Sequence, residues 1–263
     1  IQSLINCGVN GPVVFNIQPG NYNEQINIPA ISGASAVNTI TFKSQNNDSS
    51  SVIITFAPTS SNANYVIKLD GADFIRFKNL SIINNTQSTL GRVIELTNQA
   101  NSNEFTNNVI QTPISTSSST AGIYSYNTKD ERNLVANNLI KGGYYGVYFY
   151  GVGSASGSKE IGNTIINNVI EDYYYYGIYL YYQDSVTLIG NSINNSSISN
   201  YAYGIYSYYC DNNRYLKNKV RMTNNTYTYG IYMYYNNNGG GNGIVANNFI
   251  SQSVGINTVY LIY

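Results

Sequence analysis

The chain has 263 residues with 13 basic and 13 acidic side chains, so no excess charge predicts binding to nucleic acid or to an anionic membrane. It has no histidine, which excludes imidazole metal ligands and histidine-dependent catalysis. It also has no run of about 18 apolar residues, so no membrane insertion is predicted.

The N-terminal segment from Gly8 to Ser50 carries several short motifs. These are Gly11-Pro12, "PGNYNEQ" at Pro19–Gln25, Ile28-Pro29 and "NTITFKS" at Asn38–Ser44. In these motifs the chain resembles secreted right-handed parallel β-helix proteins of Bacteroidota, built on the PbH1-type repeat. The resemblance implies a secreted or cell-surface location, a short capping helix at "IQSLINCG", and a role in adhesion, glycan binding or glycan cleavage.

A second likeness involves Asp73. The segment "PGNYNEQ" also resembles the opening of pectin methylesterases, and "GADFIRF" at Gly71–Phe77 echoes their catalytic "DFIFG". The echo lies too early in the chain, and no matching glutamine motif precedes it. We therefore interpret Asp73 as a turn residue.

Two motifs alternate along the rest of the chain with one shared period. The first is an Asn followed by an apolar pair, in steps of 23 to 30 residues, at Asn108, Asn138, Asn168, Asn191, Asn218 and Asn248. The second is a Gly followed by alternating apolar residues and Tyr, in steps of 24 to 31 residues, at Gly122, Gly146, Gly177, Gly204 and Gly230. Alternation of period two predicts strands, with Ile178 and Leu180 on one side and Tyr179 on the other.

Short strands that recur in this way, with no helical pattern between them, are typical of a parallel β-helix. We predict an all-β, single-domain right-handed parallel β-helix over residues 1–263, with about nine coils of 23–31 residues. Residues 1–50 would form the N-terminal cap and first coils, and residues 51–263 the repeat coils. The Asn column is predicted to face inward, where stacked amides satisfy one another and the turn backbone.

The ends of the chain give two further expectations. "TVYLIY" at the C-terminus is predicted to be another strand with Val259 and Leu261 inward, so we expect the native protein to continue beyond it. Cys7 and Cys210 are separated by about seven coils at roughly 4.8 Å each, too far for a disulfide, and are predicted to be free thiols.

Aligning the coils predicts two outward columns of tyrosine. The first column is Tyr124, Tyr148, Tyr179, Tyr206, Tyr232 and Tyr260, and the second is Tyr126, Tyr150, Tyr181, Tyr208 and Tyr234. Rings about 4.8 Å apart stack and would stabilise the rod by themselves. The columns would also form a large apolar face, which suits stacking on sugar rings or packing against another subunit. The candidate ligand-binding residues are Tyr148, Tyr150, Tyr179, Tyr181, Tyr206, Tyr208, Tyr232 and Tyr234.

An enzymatic interpretation depends on two carboxylates. Asp184 and Asp211 occupy equivalent turn positions on adjacent coils, with Asp73 in the same column, and Arg214 and Lys217 follow nearby. Such a pair is compatible with a polysaccharide lyase, a glycoside hydrolase or a Ca²⁺ site. Asp is also an ordinary turn residue, so we expect no catalytic residue, no metal and no cofactor, with Ca²⁺ as the alternative.

The sequence therefore predicts a non-enzymatic, secreted or cell-surface module of the adhesin or carbohydrate-binding type. Its partner would be a polysaccharide or cell-surface glycan, bound through the tyrosine columns. The alternatives are a polysaccharide lyase or glycoside hydrolase, and a structural rod that self-associates through the same face.

Overall fold

A computed structural model of the chain describes residues 1–86, 89–197, 199–223, 227–237, 241–252 and 258–262. The fold is a right-handed parallel β-helix with three sheets of nine strands each, so nine coils are stacked over eight steps. The predicted fold class is confirmed. The predicted capping helix is present at Gln2–Cys7, where Leu4 is buried against the core.

The first two sheets carry short strands on every coil. The first sheet consists of Val13–Ile17, Ile40–Ser44, Ile75–Lys78, Glu104–Thr106, Leu134–Ala136, Thr164–Ile166, Thr187–Ile189, Arg214–Leu216 and Ile244–Ala246. The second sheet consists of Gly20–Asn23, Val52–Phe56, Ser81–Asn84, Val109–Gln111, Leu139–Lys141, Val169–Glu171, Ser192–Asn195, Lys219–Met222 and Phe249–Gln252.

The third sheet carries longer strands and most of the tyrosines. It consists of Ile26–Pro29, Tyr65–Asp70, Gly91–Thr97, Thr120–Tyr126, Tyr145–Tyr150, Tyr176–Tyr181, Tyr201–Tyr208, Tyr227–Tyr234 and Thr258–Ile262. A two-stranded sheet, Glu160–Ile161 with Gln183–Asp184, and two 3₁₀ turns, Ser61–Ala63 and Ser156–Ser158, lie in the connections.

The core is built from columns of equivalent residues. In the first sheet Phe15, Phe42, Phe77 and Phe105 stack with ring centroids 4.9, 5.2 and 6.0 Å apart. In the third sheet Ile178 and Leu180 are fully buried, as the alternation predicts. Burial of these columns removes apolar surface from water along the whole rod and is the main stabilising contribution.

The predicted Asn ladder is confirmed at the turn between the first and second sheets. In each step the side-chain oxygen of one Asn accepts the backbone N–H of the equivalent Asn in the preceding coil, at 2.9 to 3.1 Å from Asn108 to Asn248. Leu80 stands in the same column, where its N–H donates to Asn108. The ladder satisfies backbone groups that would otherwise be buried without partners.

The glycine motif marks a second close approach between coils. A Cβ atom added to Gly177 would lie 2.6 Å from Cγ2 of Ile193 and 2.7 Å from the carbonyl oxygen of Gly204. Equivalent contacts face Gly122, Gly146 and Gly204. Only glycine fits this column, because any side chain would meet the backbone of the next coil.

The last strand corrects one predicted column. Tyr260 pairs with Tyr229 rather than with Tyr232, and its ring stacks on Tyr229 at 4.9 Å. The side chains of Val259 and Leu261 lie outside the described residues. Cys7 and Cys210 are free thiols, as predicted, the first exposed and the second buried.

Candidate binding face

The outward side of the third sheet, with the turn that follows it, is covered by tyrosine over successive coils. We call this surface the tyrosine face. Its inner column is Tyr124, Tyr148, Tyr179, Tyr206 and Tyr232, and its outer column is Tyr126, Tyr150, Tyr181, Tyr208 and Tyr234. A flanking column consists of Tyr145, Tyr176, Tyr203, Tyr229 and Tyr260. A turn column consists of Tyr182, Tyr209 and Tyr235.

The rings of each column stack along the rod. In the inner column, ring centroids from Tyr124 to Tyr232 are 4.7 to 5.0 Å apart and the ring planes differ by 4° to 11°. Flanking and inner rings meet edge to face, as Tyr203 does with Tyr206 at 5.4 Å and 87°. Contacts of these two kinds each contribute about 0.5 to 1.5 kcal/mol beyond area burial. The tyrosines are therefore a rigid, self-supporting array.

This packing changes what the face offers to a ligand. Because the ring faces are occupied by neighbouring rings, the surface consists mainly of ring edges and phenolic hydroxyl groups. Burial, with a smaller effect of neighbouring phenols, raises the pKa values of Tyr179 and Tyr206. Their hydroxyl groups therefore stay protonated at neutral pH and can both donate and accept hydrogen bonds.

The predicted ligand-binding residues differ in accessibility. Tyr148 is only 7% exposed, because the flanking and outer rings enclose it, so we no longer count it among the contact residues. Tyr234 is 40% exposed. The others are partly exposed: Tyr150, Tyr179, Tyr181, Tyr206, Tyr208 and Tyr232. Their role in binding stays a prediction.

The turn column was not predicted, and its backbone is unusual. Tyr182, Tyr209 and Tyr235 have φ values of 54°, 51° and 51°, in the left-handed region. Such a backbone costs most residues roughly 1–2 kcal/mol, whereas Gly and Asn adopt it readily. Earlier coils have Gly71, Asn98 and Asn127 at this position, also with positive φ. Three tyrosines therefore hold a conformation that tyrosine disfavours.

The two carboxylates of the enzymatic interpretation are brought together by the fold. Asp184 and Asp211 face each other in a parallel bridge between adjacent coils. Asp211 forms an ion pair with Lys159, whose side chain is 5% exposed and which the sequence did not single out. Arg214 and Lys217 are exposed, and neither forms an ion pair with either aspartate among the described residues. Their catalytic role therefore has no geometric support.

Asp73 is placed as predicted, in the column of Asp184 and Asp211 but several coils away. Its carboxylate accepts the backbone N–H of Asn101 at 2.7 Å, which is ordinary turn chemistry.

Comparison with known proteins gives the family. The family described as "Periplasmic copper-binding protein (NosD)" matches residues 38–260. This chain belongs to the NosD family. No curated protein matches the NosD chain in a sequence search.

Solved structures share the fold of this NosD family member. A pectate lyase, Pel9A, is 14% identical with a TM-score of 0.54, over 98% of this chain and 72% of the lyase. A pectin methylesterase from Yersinia enterocolitica is 10% identical with a TM-score of 0.48, over 95% of this chain and 93% of the esterase. At such identities the likeness shows the parallel β-helix and nothing about activity.

The family description raises the question of whether this NosD chain could hold copper. Copper in proteins is bound by imidazole, thiolate and thioether groups, and this chain has no histidine, two cysteines and two methionines. Cys210 and Met233 line one cavity of about 540 Å³, but burial raises the pKa of the Cys210 thiol and so disfavours the thiolate. Met222 is buried, and its sulfur accepts a hydrogen bond from Tyr173 at 3.2 Å.

The wider search for metal ligands agrees with this. In the described part of the chain, no group of three or more Cys, Asp or Glu side chains is placed to hold a metal ion. The donor set therefore does not fit a resident copper ion. The predicted lack of a cofactor, and the Ca²⁺ alternative at Asp184 and Asp211, stay predictions.

Sequence analysis also missed a buried polar cluster inside the NosD solenoid. Asp130 and Glu160 are fully buried on successive coils, and Gln183 donates to Glu160 at 2.7 Å. Each carboxyl lies three residues before an Asn of a second ladder, Asn133 and Asn163, joined at 2.9 Å. That spacing was the available signal, but the loop at residues 151–159 hides the repeat.

Proposed function

We propose that this chain is a non-enzymatic glycan-binding module that contacts its ligand through the tyrosine face. The observation that carries the proposal is the rigid array of protonated phenols at the accessible surface, described above. Sugars present many hydroxyl groups on a semi-rigid framework, and a preorganised array of donors and acceptors binds them with little loss of side-chain entropy.

The charge near the face supports binding over catalysis. The carboxylate of Asp211 is already paired with Lys159, and Asp184 accepts hydrogen bonds from Ser185 at 2.8 Å and from Asn212 at 2.9 Å. A glycoside hydrolase needs one carboxyl to donate a proton and a second to act as nucleophile or base. Because neighbouring side chains engage both aspartates, neither carboxyl group is set apart for one of these two roles.

The setting we propose is periplasmic or extracellular. The family description names the periplasm, and the N-terminal motifs resemble those of secreted β-helix proteins. In the described part of the chain, no helix has the length and apolar character needed to cross a membrane. The pectate lyase shares the β-helix, which is consistent with a carbohydrate ligand.

A glycan array tests the proposal. We would compare the wild-type protein with Tyr181→Ser/Tyr208→Ser/Tyr234→Ser, which removes three partly or largely exposed rings of the outer column. The matched control is the Phe triple variant at the same positions, which keeps the rings and removes the hydroxyl groups. We expect the Ser variant to lose binding and the Phe variant to bind more weakly than the wild type.

Other outcomes would contradict the proposal. Absence of glycan binding by the wild-type protein, together with dimers or larger species in light scattering that the Ser variant dissolves, would assign the face to self-association. Release of unsaturated uronate from a polysaccharide would assign the chain to the lyases.

A further inference from the structure

We propose that the hydroxyl-bearing edges of the turn column, Tyr182, Tyr209 and Tyr235, are the contact line for an uncharged polysaccharide. This inference rests on the proposed function and adds to it both the contact residues and the class of ligand. The polysaccharide would run along the rod axis, because the three residues lie on three successive coils.

The backbone gives the first argument. At this turn position the N–H of each residue donates to the next coil, as Tyr182 does to Tyr208 at 3.2 Å and Gly71 does to Thr97 at 2.9 Å. The position needs a left-handed backbone in Tyr182 as it does in Gly71 and Asn127. Gly and Asn adopt this backbone at little cost, so the turn itself does not call for tyrosine. Strained residues of this kind concentrate at functional sites.

Ring packing is the competing explanation, and the contacts within the column are uneven. Tyr209 stacks on Tyr235 at 4.9 Å and 7°, but Tyr182 and Tyr209 are 5.7 Å apart and tilted by 32°. Each ring of the turn column also meets its outer-column neighbour edge to face, at 4.2 Å for Tyr181 and Tyr182. These contacts orient the rings, while Tyr235 remains 47% exposed.

The charges beside the turn column give the class of ligand. Asp184 and Asp211 each lie two residues beyond a tyrosine of the column, and the ammonium group of Lys159 is committed to Asp211. Asp184 has no ion pair in the described part of the chain. A polyuronate would bring its carboxylates to a surface that has no cation to receive them. The hydroxyl groups of a neutral sugar can donate to Asp184 and exchange hydrogen bonds with the phenols.

The test uses the residue that an earlier coil already carries at this position. The variant Tyr182→Asn/Tyr209→Asn/Tyr235→Asn follows Asn127 and removes the rings while keeping a residue suited to the left-handed backbone. Wild type and variant would be run in native gels containing hydroxyethyl cellulose, xylan or galactomannan, and polygalacturonate as the anionic counterpart. We expect at least one neutral polymer, and not polygalacturonate, to retard the wild type.

We expect the Asn variant to lose about tenfold or more in affinity, as for a central contact residue, with an unchanged or higher Tm. If it unfolds, the Phe triple variant at the same positions decides, because it keeps the rings and should bind several-fold more weakly. Full affinity in the Asn or Phe variant, or a preference for polygalacturonate, would overturn this inference while leaving glycan binding by the face intact. A wild type that binds none of the polymers, and no glycan on the array, would overturn both.

Discussion

Asp130 and Glu160 lie on successive coils and share one hydroxyl group. The Ser125 oxygen is 2.7 Å from Oδ2 of Asp130 and 2.8 Å from Oε1 of Glu160, and all three side chains are fully buried. A hydroxyl group has one hydrogen to donate, so one of the two carboxyl groups must itself be protonated and donate to Ser125. Burial, and then the charge of Asp130, raise the pKa of Glu160 to about 8.

This shared proton predicts a dependence of stability on pH. The folded state keeps a proton that the unfolded chain releases near its ordinary pKa of 4.5. The free energy of unfolding should therefore fall as pH rises from about 4.5 to about 8, because the folded state binds more protons in that window. Glu160→Gln should flatten this dependence and stabilise the fold at pH 8 by about 1–3 kcal/mol, since its amide can donate to Ser125.

Urea denaturation at a series of pH values measures this effect. The matched control is Glu24→Gln, because Glu24 is exposed and its substitution should leave the pH dependence of the wild type unchanged. A Glu160→Gln variant less stable than the wild type at every pH would show that the pair does not hold a proton.

The Asn ladder predicts a large effect from one substitution. Asn138 accepts the backbone N–H of Asn108 at 2.9 Å and donates to the carbonyl oxygen of Phe105 at 2.8 Å. Asn138→Leu, which copies Leu80 of the same column, should lower the free energy of unfolding by about 2–4 kcal/mol because it leaves buried backbone groups unpaired. The neighbouring variant Asn137→Gly is the control, since Asn137 is exposed with φ 57° and Gly adopts that backbone freely. Equal denaturation midpoints for the two variants would contradict the role of the ladder.

The glycine column predicts a steric effect. In Gly177→Ala the added methyl group would meet Ile193, the Gly204 carbonyl oxygen and, at 3.0 Å, the Tyr173 ring. We expect a loss of about 1–3 kcal/mol from this overpacking, measured as a lower Tm. Gly157→Ala is the matched control, because no atom of the described residues outside its immediate chain neighbours lies within 4 Å of the place its methyl group would take. A wild-type Tm for Gly177→Ala would mean that the coils can separate at no cost.

The sequence was informative wherever a column repeats with a fixed environment. Asn108 to Asn248 and the glycines from Gly122 to Gly230 could be aligned because each is required by contacts with equivalent residues above and below. Tyr260 was assigned to the wrong column because "TVYLIY" has no glycine to anchor its register.

The rest of the site depends on packing between columns, which the sequence does not display. The burial of Tyr148 follows from rings on both sides of it, and the left-handed backbone of Tyr182 follows from the turn. The pairing of Lys159 with Asp211 crosses from one coil to a coil further along the rod, at residues 52 positions apart. None of these relationships has a local pattern that would reveal it.

The in-register columns also bear on how such a surface evolves. The Asn, Gly and Tyr positions of one coil meet the same positions of the next, as Tyr176–Tyr181 do in Tyr201–Tyr208. A gene segment that encodes one coil can therefore be duplicated or deleted while every column stays continuous. Recombination would lengthen or shorten the rod by whole rungs, so the number of sugar units that one molecule spans is open to selection without redesign of the fold.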